Sequence, residues 1–196
     1  MGFVETFNLN GARIETTVTD DQAKVDNILG SFLHHANCTG TKVIGFDTEW
    51  TLYQKTVSEC ATLCLCNGHS CLVIQLRHLD SVPNSLLNFL RMPNLTFVGV
   101  GIKDDMAKLE ETYGIRCRNA VELGTLAATM LNKPRLIFCG VDELALVVNS
   151  LDLRFPRPIA VLDKDWGESD LSIEHAKFAT INVYSYFKIG SKLLTE

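Results

Sequence analysis

The sequence predicts an α/β fold in which helices pack on a mixed sheet. Three strand-like runs follow one another over residues 42–76, which indicates a meander, and the second half alternates helical and strand-like periodicity. This succession is typical of a mixed sheet covered by helices. With 196 residues, 46% of them hydrophobic, the chain can bury one sizeable core, so we expect a single domain over 1–196. It would comprise an N-terminal hairpin and helix (1–40) and a motif-bearing core (42–190).

The first forty residues predict a hairpin and a helix. Asn10-Gly11 separates two strand-like runs and is the strongest short signal for a two-residue hairpin turn. Asp20 or Asp21 then provides the N-cap of a helix whose apolar residues recur on one face, and Gly40 ends it. The expected strands are 4–9 and 12–18.

The remaining elements follow in order along the motif-bearing core. Asn67-Gly68 joins the second and third strands of the meander as another hairpin. A proline-rich stretch at 155–158 precedes the last helix. The expected strands are 42–49, 60–66, 71–76, 95–101 and 120–123. The expected helices are 81–90, 104–113, 124–131, 141–151 and 172 to the end of the chain.

The charge of the chain limits how it can hold a nucleic acid. A net charge of −5 and a pI near 5.5 argue against a broad basic surface, because phosphate affinity normally comes from clustered Lys and Arg. Divalent cations held by acidic side chains can supply positive charge locally. The mean hydropathy of +0.12 is high for a chain with 21% charged residues, which favours a subunit interface.

Targeting signals and cysteine usage indicate the compartment. Neither a membrane span nor a secretory signal is predicted, so we expect a soluble intracellular protein, in the cytoplasm and with the nucleus left open as a second location.

Seven cysteines without a C-x-x-C pair favour buried free thiols. A zinc site is the less favoured alternative, because its candidate ligands fall on the two strands of the second hairpin. Those candidates are Cys60, Cys64, Cys66 and Cys71.

Carboxylates at the ends of two predicted strands indicate chemistry. Asp47 and Glu49 end one strand, and alternate strand residues point to the same face. Asp105 follows the strand 95–101, where Asp104 could instead simply cap the next helix. If Asp47, Glu49 and Asp105 converge, we expect them to bind two ions of Mg²⁺ or Mn²⁺, because phosphodiester hydrolysis by two metals needs such hard oxygen ligands.

Three motifs carry a resemblance to a known family. Phe46-Asp47-Thr48-Glu49-Trp50, and the segment 98–102 with Asp105, resemble the first and second motifs of the RNase D and Werner-type members of the DEDD (DnaQ-like) 3′-5′ exonuclease superfamily. The segment 178–184 is similar to the third motif, so the resemblance covers about residues 42 to 190. It implies a ribonuclease-H-like fold, metal-dependent 3′-5′ exonuclease activity on single-stranded nucleic acid, and Asp47, Glu49, Asp105 and Asn182 as the catalytic set.

The third motif departs from the family pattern. Phe178 stands where the family has a tyrosine that helps position the attacking water, and Asn182 stands where it has a fourth metal-binding aspartate. An asparagine oxygen can bind Mg²⁺ but carries no charge, so a second ion would bind more weakly. Lys177 occupies the place of a histidine in another subclass. His175 lies about two helical turns before Asn182 and is a candidate substitute base, although a surface or helix-start histidine is the more common case.

Further side chains near the motifs are candidates for binding the substrate. Thr48, Trp50, Lys103 and Lys177 are the principal candidates. Trp50 is equally consistent with stacking on a terminal base and with core packing. Other lysines and aromatic residues close to the motif segments could assist them, although a scattered lysine is usually a solvated surface residue. These are Lys108, Lys164 and Lys188, with Trp166 and Phe178 for stacking.

Within the family, the opening hairpin and the first two motifs resemble the compact plant relatives of the Werner-type exonuclease. The chain is similar to the RISC-interacting clearing exoribonucleases, which implies single-stranded RNA substrates, Argonaute (RISC) partners and a homo-oligomer; DNA remains open as a substrate. The incomplete third motif leads to the hypothesis that a neighbouring protomer completes the site. The alternative is a weakened exonuclease-like domain that binds RNA or a protein without cleavage.

Overall fold

The computed structural model describes residues 2–53 and 56–195 and contains one seven-stranded mixed sheet within them, which confirms the α/β prediction. The strands are β1 (Phe3–Leu9), β2 (Ala12–Thr19), β3 (Val43–Tyr53), β4 (Thr56–Cys66), β5 (Ser70–Ile74), β6 (Thr96–Gly99) and β7 (Ala120–Glu122). The α-helices are α1 (Gln22–Thr39), α2 (Asn84–Leu90), α3 (Ile102–Tyr113), α4 (Leu123–Met130), α5 (Val141–Asn149) and α6 (Ile173–Thr195). Short 3₁₀ helices span Leu76–His78, Pro134–Phe138 and Ile159–Val161.

The strand order is β1-β2-β5-β4-β3-β6-β7. Strands β3, β4 and β5 form the expected antiparallel meander, and β1 and β2 form the expected antiparallel hairpin. The pairs β2–β5, β3–β6 and β6–β7 are parallel. Parallel neighbours place the ends of β3 and β6 at the same edge of the sheet, and this edge carries the acidic residues of the first two motifs.

Local signals explain the first two elements. Asn10 and Gly11 both have positive φ, 52° and 85°, as a tight hairpin turn between twisted strands requires. Of the two candidate caps, Asp21 is the one used: its carboxylate accepts hydrogen bonds from the backbone N–H groups of Ala23 (2.8 Å) and Lys24 (3.4 Å). The helix α1 ends at Gly40 in the left-handed conformation, as predicted.

Two apolar layers sandwich the sheet. Side chains of α1, α2 and α3 pack on one face, and those of α4, α5 and α6 pack on the other. The helix α6 lies directly against β3, and a Cβ added at Gly45 would approach the carbonyl oxygen of Val183 to 2.0 Å. A glycine is therefore what allows α6 to pack this closely. A buried hydrogen bond of 2.7 Å between the hydroxyls of Thr16 and Thr180 fixes the same helix over β2.

The cysteines of β4 and β5 are distributed over both layers. Cys60 lies in the layer under α1 to α3, whereas Cys64, Cys66 and Cys71 lie in the layer under α6. All four are buried free thiols, as the favoured interpretation expected. Over residues 2–53 and 56–195, no three His, Cys, Asp or Glu side chains stand together as a metal site, so the described part of the chain gives the zinc alternative no support. None of the described helices is long and apolar enough to span a bilayer.

Candidate active site

Strand β3 supplies the first two carboxylates. Val43 lies in the apolar layer under α6, and Gly45 touches that helix. Alternate residues of a strand face the same side of the sheet, so Asp47 and Glu49 also face α6. Asp47 is buried and Glu49 is half-buried. The pairing of β3 with β4 shifts register between Glu49 and Trp50, immediately after the two acidic residues. Such irregularities change the direction of a strand. The fold therefore presents both carboxylates beneath α6.

The start of α3 supplies the third carboxylate. Gly101 takes a positive φ of 74° and the helix begins at Ile102, so Asp104 and Asp105 lie in its first turn and are not its cap. The suggestion that Asp104 caps the helix is wrong, because the helix begins two residues earlier. Instead the carboxylate of Glu122, at the end of β7, accepts hydrogen bonds from the N–H groups of Gly101 and Ile102, each at 3.1 Å. Glu122 thus fixes the turn that places Asp105.

Burial raises the pKa of all three carboxylates, and the charge of Asp105 raises the pKa of the other two further. Desolvation, followed by the charge of Asp105, raises the pKa of Asp47 to about 8. Desolvation and the charges of Asp47 and Asp105 raise the pKa of Glu49 well above its usual value. Desolvation raises the pKa of Asp105 to about 6, against the opposing effect of the Thr48 hydroxyl. These carboxylates destabilise one another's negative charge, and a bound cation would relieve that repulsion.

The helix α6 brings Asn182 onto Asp47. The side-chain Nδ2 of Asn182 donates a hydrogen bond of 3.1 Å to Oδ2 of Asp47. This contact joins the third motif to the first, and both residues are buried. The arrangement agrees with the placement that the motif resemblance implied for position 182.

Arg157 is a residue of the site that sequence reasoning missed. Its Nη1 donates a hydrogen bond to Oδ1 of Asn182, and its Nη2 bonds Oδ1 of Asp142 at 2.7 Å. The guanidinium carbon lies 5.3 Å from the ring centroid of Phe178. The side chain of Arg157 is 9% exposed, and its charge lowers the pKa of Asp47. In the sequence, the segment 155–158 indicated only a proline-rich break before the last helix. Nothing local in the sequence distinguishes Arg157 from a surface arginine.

The donor set suits a divalent cation. Asp47, Glu49 and Asp105 offer hard oxygen donors from two elements, and the charge of Asp105 raises the pKa of the other two. Over the described residues, however, no three His, Cys, Asp or Glu side chains already stand in coordinating positions. Binding of an ion therefore requires these side chains to draw together.

His175 has contacts outside this cluster. Its Nδ1 lies 2.8 Å from the hydroxyl of Ser172 and accepts the Ser172 backbone N–H at 3.2 Å. Its ring stands edge-on to Trp166, with centroids 4.8 Å apart, and burial lowers its pKa. These contacts fix the histidine at the start of α6, and no described hydrogen bond joins it to the three carboxylates. The geometry therefore gives the substitute-base hypothesis no support.

Phe178 is buried and packs between Arg157 and Trp166, whose ring centroid lies 6.0 Å away. Its ring is therefore occupied by protein contacts in this state. Phe178 and Asn182 are one helical turn apart on α6 and both contact Arg157, so the two substituted positions of the third motif share a neighbour.

The other candidate substrate residues lie around the edge of the cluster. Trp50 packs partly on the layer under α3, and the Nζ of Lys108 lies 4.1 Å from its ring centroid. Thr48 is buried beside Asp105. Lys103 is exposed in the first turn of α3, and Lys177 is half-buried on α6. Trp50 is thus partly packed and partly accessible, and its stacking on a terminal base stays a prediction.

The sequence of the chain is similar to those of known exonucleases. A family model described as 3′-5′ exonuclease matches residues 18–195. A RISC-interacting clearing 3′-5′ exoribonuclease 1 from Arabidopsis thaliana is 28% identical over 189 residues, which cover 92% of this chain and 91% of that protein. An exonuclease 3′-5′ domain-containing protein 2 from Drosophila melanogaster is 28% identical over 123 residues, which cover 62% of this chain and 21% of that protein.

Solved structures show the same fold. The crystal structure of the EXD2 exonuclease domain matches with a TM-score of 0.55 and 23% identity, over 92% of this chain and 94% of that one. A crystal structure of that domain soaked in Mg and GMP matches with a TM-score of 0.55 and 21% identity, over 93% of this chain and 89% of the other. These likenesses confirm the ribonuclease-H-like fold.

Proposed function

Since the chain belongs to the 3′-5′ exonuclease family, we propose that it removes nucleotides from the 3′ end of single-stranded RNA with the help of a divalent cation. One observation carries the proposal: Asp105 on α3 lies close enough to Asp47 and Glu49 on β3 for its charge to raise the pKa of both. Asn182, from a third segment, binds Asp47. Their convergence at the end of β3 is what metal-assisted hydrolysis requires.

Each residue has a role in this proposal. Asp47, Glu49 and Asp105 hold Mg²⁺ or Mn²⁺, which would supply positive charge to the scissile phosphate. Asn182 orients the Asp47 carboxylate through its 3.1 Å hydrogen bond. Glu122 keeps the first turn of α3, and with it Asp105, in place. Phe178 has no hydroxyl and is assigned a packing role against Arg157.

RNA is the proposed substrate because a relative similar over nearly its whole length is named as an exoribonuclease. Trp50 offers an aromatic face for a terminal base, and Lys103 and Lys177 offer charges for phosphates at the edge of the site. A net charge of −5 makes such local contacts necessary. The name of the same relative, RISC-interacting, supports RISC as a partner, and we propose its Argonaute component as the contact. We also propose a cytoplasmic location, with the nucleus left open.

We also propose a homo-oligomer. Phe138 and Phe155 are 90% and 95% exposed, and Ile159 is 71% exposed. Large apolar side chains that project this far favour burial in an interface. Phe155 lies two residues before Arg157, so a neighbouring protomer that covers it would also support the segment carrying that arginine.

A binding module without cleavage is the second candidate. The observation in its favour is that Arg157 bonds Asn182 and stacks over Phe178, the two substituted positions of the third motif. A module of this kind would bind single-stranded RNA yet leave it intact at every concentration of Mg²⁺ or Mn²⁺.

Cleavage of a 5′-labelled single-stranded RNA distinguishes the candidates. We expect stepwise shortening from the 3′ end with Mn²⁺ or Mg²⁺, and a rate at least ~100-fold lower for Asp47→Ala, because a metal ligand is lost. Asp80→Asn is the matched control, since Asp80 is an exposed acid outside the cluster, and it should retain the wild-type rate. RNA that stays intact with both metals, in a protein that still binds it, would establish the module instead.

A further inference from the structure

Arg157 has a largely buried side chain, unlike an ordinary surface arginine. Its side chain is 9% exposed, and its Nε is buried without a hydrogen-bond partner among the described residues. Its two other nitrogens bond Asp142 and Asn182. A guanidinium is costly to bury with one of its donors unsatisfied. An arginine buried to this extent is expected at a functional site where its positive charge interacts with nearby negative groups.

The cluster of carboxylates is where that charge acts. Arg157 lowers the pKa of both Asp47 and Glu49, so it favours their ionised forms. It reaches Asp47 through Asn182, whose Oδ1 accepts a hydrogen bond from the guanidinium while its Nδ2 donates one to Asp47. An amide is the side chain that can face a cation on one side and a carboxylate on the other. An asparagine at position 182 can therefore bind both Arg157 and Asp47.

The elements around Arg157 hold it in position. Asp142, in the first turn of α5, bonds its Nη2 at 2.7 Å. Farther along the same loop, Asp165 accepts the backbone N–H of Leu52 at 3.2 Å, and the backbone N–H of Trp166 bonds the carbonyl of Trp50. The loop is therefore tied to β3 just beyond the acids, and the guanidinium is a fixed part of the site.

We propose that Arg157 takes the place of a second metal ion, so that this site binds a single divalent cation. The inference rests on the proposed function. When ionised, the three carboxylates and the guanidinium leave two negative charges, which one divalent cation neutralises. A second ion would add two uncompensated positive charges beside a fixed cation, which is unfavourable. Arg157 is in this sense a positioning residue, because it acts through Asn182 and through its field.

Titration of the protein with Mn²⁺ alone, followed by electron paramagnetic resonance, tests the inference without any RNA. We expect one bound Mn²⁺ per wild-type chain. At a pH high enough to ionise the three carboxylates in both proteins, Arg157→Gln should bind Mn²⁺ about tenfold more tightly, because a positive charge near the ion is removed. Arg157→Lys keeps the charge and should stay close to the wild-type affinity. Arg154→Gln is the matched control: Arg154 lies on the same loop, is exposed and pairs with Asp152, so its loss should leave Mn²⁺ binding unchanged.

The outcomes separate this inference from the proposed function. Two Mn²⁺ ions of similar affinity in the wild-type protein would overturn the role of Arg157 and leave the exonuclease proposal standing. Absence of any bound Mn²⁺ would overturn both. An unchanged affinity in folded Arg157→Gln would show that the arginine is only structural. If Arg157→Gln does not fold, the wild-type stoichiometry still decides the question, because the proposal requires one bound Mn²⁺ and two would overturn it.

Discussion

Asn182 connects the parts of the site at the scale of single residues. It bonds Asp47 with one atom of its amide and Arg157 with the other. The sequence located Asn182, Asp47, Glu49 and Asp105, because each lies in a motif of defined spacing. It did not locate Arg157 or Asp142, since their contacts depend on how the loop before α6 folds back. Side chains that act through long-range packing have no local sequence signal.

The raised pKa of Asp47 predicts how the stability of the metal-free protein depends on pH. The folded protein keeps a proton on Asp47 up to about pH 8, whereas the unfolded carboxyl has its ordinary pKa of 3.8. Between these values the unfolded state binds fewer protons, so the free energy of unfolding falls as pH rises, by up to about 1.4 kcal/mol per pH unit. Below about pH 4 both states are protonated and the effect disappears. Urea unfolding at several pH values measures it.

Two controls accompany this pH series. Asp47→Asn removes one titrating group and should reduce the slope between about pH 5 and pH 8, while Glu49 and Asp105, whose pKa values are also raised, keep the remainder. Added Mn²⁺ should restore stability at the upper end, because the ion binds the ionised carboxylates of the folded state. A slope as steep in Asp47→Asn as in the wild type would assign the pH dependence to other groups.

At the scale of elements, the contact between β3 and α6 determines whether the site forms. The sequence predicted both elements, and the hairpins at Asn10-Gly11 and Asn67-Gly68 followed from local turn chemistry. It did not predict the start of α3, because the residue that holds the turn at Gly101 is Glu122, from another strand. The boundaries of α3 therefore depend on tertiary structure, as does the closeness of α6 to Gly45.

Gly45→Ala should separate α6 from β3. The added methyl would lie 2.0 Å from the carbonyl oxygen of Val183, so the helix must move, at a cost of about 1–3 kcal/mol in the free energy of unfolding. Because Asn182 lies one residue before Val183, RNA cleavage should fall as well. Gly30→Ala is the matched control: Gly30 lies in α1 with nothing within 4 Å of its added Cβ, and the change should be neutral or slightly stabilising. Equal stability of the two variants in urea would contradict this account.

At the scale of the whole molecule, a net charge of −5 limits the proposed RNA binding to a local site. The sheet concentrates the ends of β3 and β6 and the start of α3 at a single edge, and the acids lie there. The mixed sheet, its meander and the ribonuclease-H-like fold were predicted from the sequence and its motifs. A single domain over 1–196 stays a prediction, as does assembly into an oligomer, because a single chain shows no partner.

Phe155→Ser tests the oligomer. Phe155 is 95% exposed, so the change should not affect folding of the protomer. If this side chain lies at an interface, its loss should weaken self-association at least ~10-fold, which light scattering after size exclusion would detect as a smaller mass. Val4→Ser serves as the control, because Val4 is an exposed apolar residue on the edge strand β1. A fully active wild-type monomer would exclude the idea that a neighbouring protomer completes the site.

Anomalous diffraction from crystals soaked in Mn²⁺ would locate the proposed metal site. We expect one strong peak bound by the carboxylates of Asp47, Glu49 and Asp105, with Arg157 still bonded to Asn182. A map without a peak among these three side chains, from crystals in which Mn²⁺ has access to them, would contradict this proposal.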